Sequence, residues 1–299
     1  MNNIYELFES MKEYQLDLQY NRIVESFEVY ESVYFIKENI EIVNEADEGN
    51  KSTLADRATN IFEFLRQQLE KIVDWITNII KKFNEDFSVG KKFLELNDVN
   101  KAMQKIVNSN NTTMVKCHSQ HRPIVNVQSE FKSNINKLQN EGKRYTMNNA
   151  ANKTSVEDIV KRYYKVNTIE EIQEAINQKF GMGENQVKEV RLSTIDIMQL
   201  QNTLNNAENV NKTLEESKRN IQDFYDKHMN KIKRTGNSSN ENKINKSSGE
   251  LKYFNDFMRV INETIRVYLK IVRNMFNEDF AIAKKIVAIG NGKKNKEEK

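Results

Sequence analysis

A chain of 299 residues with a single proline, Pro123, and nine glycines has few places to turn sharply. Folds made of many short strands need a turn former every 8–12 residues or so, which excludes sandwiches along with collagen-like and Pro/Gly-rich chains. Long helices remain. The hydrophobic share is 38%, the charged share 30% and the mean hydropathy −0.76. That is too little apolar material for a thick multilayer core, but enough for helices buried along one stripe. The expected fold is all-α, an elongated helical bundle.

Several functional classes fall away on charge and cysteine usage. The net charge is +3, the two signs are interleaved, and the isoelectric point near 8.6 reflects no basic face, so no specific nucleic-acid site is expected. The one local excess, Lys293, Lys294, Lys296 and Lys299, is offset by Glu297 and Glu298 and reads as a short solvated tail over 293–299. A lone cysteine, Cys117, cannot close an internal disulfide. The start, Met1-Asn2-Asn3-Ile4-Tyr5-Glu6, lacks the basic and then apolar pattern of a signal peptide. The uncharged runs around Trp75–Ile80 and Ile286–Asn291 fall well short of the ~18 apolar residues a membrane span requires. Synthesis and folding in a reducing cytoplasm follows as the expectation.

Hydrophobic spacing then divides the chain. Tyr20–Val43 carries apolar rows stepping by three or four and reads as a helix with a wide buried face. Phe62, Leu65, Leu69, Ile72, Ile76, Ile79 and Phe83 alternate steps of three and four, a heptad-like stripe that calls for a partner helix. Residues 108–126 hold an Asn/Thr-rich run, Pro123, Cys117 and two of the three histidines, and read as irregular. Ser155, with Asp158 three residues on, reads as an N-cap, and Gly181 and Gly183 as the end of a helix reaching Phe180. Val187–Ile197 has the character of a short strand. A row from Leu200 to Ile232 suggests one long helix to about Arg234. Residues 237–249 are nearly devoid of apolar side chains and read as a linker. Phe254, Met258, Ile261, Ile265, Tyr268, Val272 and Met275 form a second heptad-like stripe.

The two striped segments end alike, in Phe83-Asn84-Glu85-Asp86-Phe87 and Phe276-Asn277-Glu278-Asp279-Phe280, each followed by a Lys pair, Lys91-Lys92 and Lys284-Lys285. The same 193-residue offset (276 − 83) also matches Phe64 with Phe257, Arg66 with Arg259, Glu70 with Glu263 and Ile72 with Ile265. Two readings account for this, convergence on a common stop chemistry in an Asn/Lys-rich chain or an internal duplication. The identities extending about four turns upstream favour duplication, which implies two equivalent helices packed about a pseudo-twofold axis. The corresponding organisation is a bundle formed by residues 1–100 and 250–292, a central helical excursion over 101–236 that leaves room for a small irregular or β insert, the linker at 237–249 and the tail at 293–299.

Chemistry-bearing residues are sparse. Cys117, His118 and His121 are the one concentration of soft ligands, and Cys117 with His121 could share a helical face. A closed zinc site wants four ligands, and His228 is distant, so these residues read as incidental. His228 lies on an apolar row and reads as packed. Gly181-Met182-Gly183 lacks the third glycine and the preceding strand of a dinucleotide fingerprint. No catalytic, cofactor-binding or metal-binding residues are assigned, and no enzymatic activity is expected. The stripe over Ile61–Phe83, with Trp75, Lys71, Lys81 and Lys82, also has features of a membrane-surface helix, but Glu63, Glu70 and Asp74 favour a bundle.

An acidic, aromatic N-terminal stretch (Tyr20-Asn21-Arg22-Ile23-Val24-Glu25-Ser26-Phe27-Glu28-Val29-Tyr30-Glu31-Ser32), a Trp-bearing amphipathic helix ending in lysines, and a closing Tyr268-Leu269-Lys270 helix followed by Ala281-Ile282-Ala283-Lys284-Lys285 together define a pattern. This pattern resembles a loosely defined group of tailed-bacteriophage virion-associated proteins of the head-internal or prohead-core type. The resemblance covers the two ends of the chain. It implies a non-enzymatic structural protein, made in the bacterial host cytoplasm, located in the virion and associating with other virion proteins or with itself. The alternatives are a membrane-active or toxin-like helical protein and a cytoplasmic coiled-coil adaptor.

Overall fold

The computed structural model describes residues 51–118, 120–147, 155–236 and 241–292. In order these form α1 (Lys51–Leu96), α2 (Val99–Asn108), β1 (Met114–Cys117), α3 (Ile124–Met147), α4 (Val156–Tyr164), α5 (Ile172–Phe180), β2 (Lys188–Arg191), α6 (Ile197–Asn206), α7 (Val210–Gly236) and α8 (Glu241–Gly290). Single 3-10 turns intervene at Glu184–Gln186, Leu192–Thr194 and Ala207–Asn209. The protein is thus mostly helical with one small antiparallel sheet, in which Val115 faces Val190 and Lys116 faces Glu189. The helix expected over Tyr20–Val43 and the tail at 293–299 lie outside the described residues.

Local chemistry sets most boundaries. Asp98, Ser155 and Asp196 cap α2, α4 and α6, their side chains accepting from Lys101 N, Asp158 N and Gln199 N. Gly181 ends α5 at φ 74°, a left-handed conformation that costs other residues strain.

Two expectations are corrected and a third in part. The segment 108–126, expected to be irregular, contributes Asn108 to α2, contains β1 and reaches α3 at Ile124, while 109–113 and the described residues of 118–123 are turn and loop. The single helix expected from Leu200 to Arg234 is two helices broken at Ala207–Asn209. There Gln128 Nε2 donates to the carbonyls of Asn206 and Ala207, and Asn206 donates to Asn202 O, so side-chain amides compete with the helical ladder. Residues 241–249, read as part of the linker over 237–249, form the first turns of α8.

The chain divides into two compact units, Met1–Asn78 with Asn220–Arg259, and Ile79–Arg219 with Val260–Lys299, a division that cuts both long helices where the sequence reading kept 1–100 with 250–292. In the first unit, Leu69, Ile72, Trp75 and Ile76 of α1, Ile221, Phe224 and Tyr225 of α7, and Phe257 and Met258 of α8 are buried. The rings of Phe224 and Phe257 lie 5.2 Å apart, and Tyr253 stacks on Phe257 at 5.8 Å.

The second unit is organised around α8. Val260, Ile261, Ile265, Val267, Tyr268, Leu269, Ile271, Val272, Met275 and Phe276 are all buried, including consecutive positions that point in different directions around the axis. Arg259, Arg266, Lys270 and Asn274 keep one polar stripe of the helix at least part-exposed, so α8 is buried around most of its circumference and packs against several neighbours. Its neighbours are identifiable by contact. Tyr268 stacks on Phe131 of α3 at 5.0 Å and meets Phe180 of α5 edge-on at 6.0 Å. Thr264 Oγ1 donates to Val260 O and therefore accepts the Tyr164 hydroxyl of α4 at 2.6 Å. Tyr268 Oη accepts from Asn134 Nδ2 at 2.9 Å and donates to Glu130, which also holds Lys179.

Within this unit α1 and α8 run parallel, because contacts advance together along both: Asp86 with Arg273, Phe87 with Phe276, and Phe93 with Phe280. The contacting residues are separated by 187 to 189 positions (273 − 86, 276 − 87), not by the 193 of the repeat. Equivalent residues of the duplication are therefore staggered by about 6–9 Å along the axes, and the expected pseudo-twofold pairing is not formed here. Gly90 permits the approach: a Cβ there would lie 2.6 Å from Phe276 Cε2. Gly290, at the end of α8, comes equally close to Ala102 of α2.

Candidate functional site

The three soft-ligand residues do come together with other ionisable groups, and the place is fixed by main-chain geometry. β1 ends at Cys117, and the chain turns so that His121 N donates to His118 O at 3.0 Å and Arg122 N to Phe180 O at 3.0 Å. Gly181 lies against this turn, where a Cβ would sit 2.8 Å from Gln120 O. Pro123 then leads into α3; its fixed φ and missing N–H suit a helix start.

Two consecutive carboxylates of α8 meet the turn. Glu278 accepts the His118 main-chain N–H at Oε1 (2.7 Å) and the His118 ring at Oε2 (2.7 Å). A carboxylate only accepts, so His118 Nδ1 carries a proton. Asp279 Oδ1 lies 3.5 Å from His121 Nε2, and both side chains are less than one tenth exposed. On its other edge, His121 Nδ1 is 2.9 Å from Gln199 Nε2 of α6 and 3.3 Å from Arg122 O.

This environment sets the protonation states. Burial, reinforced by the charges of Glu278 and Asp279, pushes the Cys117 thiol up to about 11, so it stays protonated and unreactive at neutral pH. Burial alone would disfavour a charged His121, but the hydrogen bond and charge of Asp279, the Arg122 carbonyl and the charge of Glu278 outweigh it and hold the ring above its ordinary value.

Cys117, His118 and His121 were legible as a group; Glu278 and Asp279 were visible only as the second copy of the repeated motif, with nothing to tie them to the histidines 160 residues earlier. The first copy does different work: Asn84 Oδ1 accepts from Asn211 Nδ2 of α7 at 2.6 Å, and Asp86 faces Arg273 of α8. Among the described residues, no three His, Cys, Asp or Glu side chains are placed to hold a metal ion. The side chain of His228 lies outside the described residues. No known protein family, curated protein or solved structure matches this chain.

Proposed function

We propose that this chain is a non-enzymatic structural protein of a bacteriophage virion, an internal-head or core-type component, in which helices supply the framework and ionisable residues hold it together. The observation that carries this reading is the fate of the reactive side chains. Cys117, His121 and Asp279 are all less than one tenth exposed, and His121 pairs with Asp279 beside the turn before α3, where a substrate would need an approachable, activated group. The two striped helices supply the framework: α8 buries its apolar residues along Val260–Phe276, and α1 buries Ile72, Ile76, Ile79 and Phe83. That burial favours internal packing over the membrane-active alternative, and no helix of the described residues is long and apolar enough to cross a membrane. The virion assignment itself rests on the resemblance of the two ends of the chain.

Quantitative mass spectrometry of gradient-purified particles, produced from the phage genome that encodes this chain, tests the reading. Peptides co-purifying with the capsid in fixed proportion are expected. Their absence from intact particles and from proheads alike would overturn it.

A further inference from the structure

Two different hydrogen-bonding arrangements converge on one ring nitrogen. Gln199 Nε2 lies 2.9 Å from His121 Nδ1 and 2.9 Å from His121 O. A carbonyl oxygen only accepts, so the amide must present its NH2 edge there, and the same NH2 donates to Nδ1. The ring that suits this contact is neutral, with its proton on Nε2 toward Asp279. Adding a second proton at Nδ1 sets donor against donor, and the nearest acceptor for the new N–H is Arg122 O at 3.3 Å. The protonated ring has its own compensation, because Asp279 Oδ2 is buried without a hydrogen-bond partner and a cation beside that carboxylate offsets its burial.

We propose that His121 is a proton-operated latch on α6: with a neutral ring Nδ1 and the main-chain carbonyl both hold Gln199 in the first turn of α6, and with a protonated ring the Nδ1 contact is lost, the new N–H turns to the Arg122 carbonyl and Gln199 keeps only its bond to His121 O. The groups acting on the ring are Glu278 and Asp279 from α8, the Arg122 carbonyl of its own turn and the uncharged Gln199 from α6, while the neutral thiol of Cys117 from β1 and the ring of His118 share the same two carboxylates. The exchange is centred above pH 6.5, since the surrounding carboxylates raise the His121 pKa.

The two consequences have opposite signs. A raised folded-state pKa contributes stability that is fully present below about pH 6.5 and is lost as pH rises through the folded value. The tie between His121 and α6, by contrast, is intact at high pH and loosens as pH falls. A purely structural histidine would show the first effect alone.

The test is an NMR titration of the full chain that follows the assigned His121 ring and the Gln199 side-chain amide. The expected result is a shared midpoint above 6.5. Gln199→Leu removes the partner of the neutral ring and should raise the His121 midpoint by about half to one pH unit. Asp279→Asn should lower it, with the Gln199 transition following. A Gln199 amide that stays unmoved through the His121 titration would overturn the latch, and so would a midpoint unchanged in Gln199→Leu. The wild-type titration decides the matter even if Asp279→Asn fails to fold.

Discussion

Adding one methyl group at Gly90 should destabilise this protein, against the usual direction for a helix. Glycine in a helix interior is less favourable than alanine by about 1 kcal/mol, so Gly90→Ala on a free helix would be a gain. Here the new Cβ would lie 2.6 Å from Phe276 Cε2, 2.9 Å from Cζ and 3.4 Å from Leu204 Cδ2. Carbon atoms rest about 3.5–4.0 Å apart, so the Phe276 ring must retreat by roughly 1 Å. It has little room, being buried between Phe87 at 4.8 Å and Phe280 at 5.7 Å. Overpacking of this kind costs about 1–3 kcal/mol, which leaves a net loss of about 1 kcal/mol once the helix-propensity gain is subtracted. In urea unfolding followed by circular dichroism, with a slope of about 1–3 kcal/mol/M, the midpoint should fall by roughly 0.5 M. Phe276→Leu in the Gly90→Ala background should recover part of that loss, giving a favourable coupling energy between the two sites. A midpoint that rises in Gly90→Ala would refute the close approach of α1 and α8 at this position.

Further outcomes follow from the same packing. Tyr268→Phe removes the hydroxyl shared by Asn134 and Glu130 at the centre of the second unit and should cost about 1–3 kcal/mol, measured by the same unfolding assay, because Asn134 is left buried with an unmet donor. Cys117, raised from 9.0 to about 11, holds about one hundredth of the thiolate of an ordinary thiol. Its labelling by iodoacetamide at pH 8 should therefore be at least about 100-fold slower in the folded chain than in urea. Flotation with anionic vesicles should leave the folded protein in the dense fraction; co-flotation would favour the membrane-active alternative over internal burial of the α1 stripe.

The fold was legible where the physics is local. Ser155 announces α4 by its position three residues before Asp158, and its side chain does accept from Asp158 N. The three-four spacing of Ile72, Ile76, Ile79 and Phe83 marks a buried helix face, and all four are buried. What spacing could not convey is the number of neighbours. Ile261, Ile265, Tyr268 and Val272 look like a seam for one partner, yet Val267, Leu269 and Ile271 lie between them and are buried too. Those intervening apolar residues were the available sign that α8 is buried around most of its circumference, with Arg266, Lys270 and Asn274 marking the stripe left to solvent. The break at Ala207–Asn209 was hidden because it depends on Gln128, a residue of another helix. The candidate site was half visible for the same reason: Cys117, His118 and His121 are neighbours in sequence, whereas Glu278, Asp279 and Gln199 reach them only through the tertiary fold.

The span between His118 and its carboxylate partner also has a consequence in time. The 160 residues separating His118 from Glu278 take on the order of ten seconds to synthesise at ordinary ribosome speeds. α3 is made early in that interval, and the stretch of α8 that packs on it, on the turn after β1 and on the flank of α1 is made only at its end. The second unit can therefore settle only after translation of α8, which leaves a window in which nascent chains, crowded on one message, expose the same unfilled groove to one another.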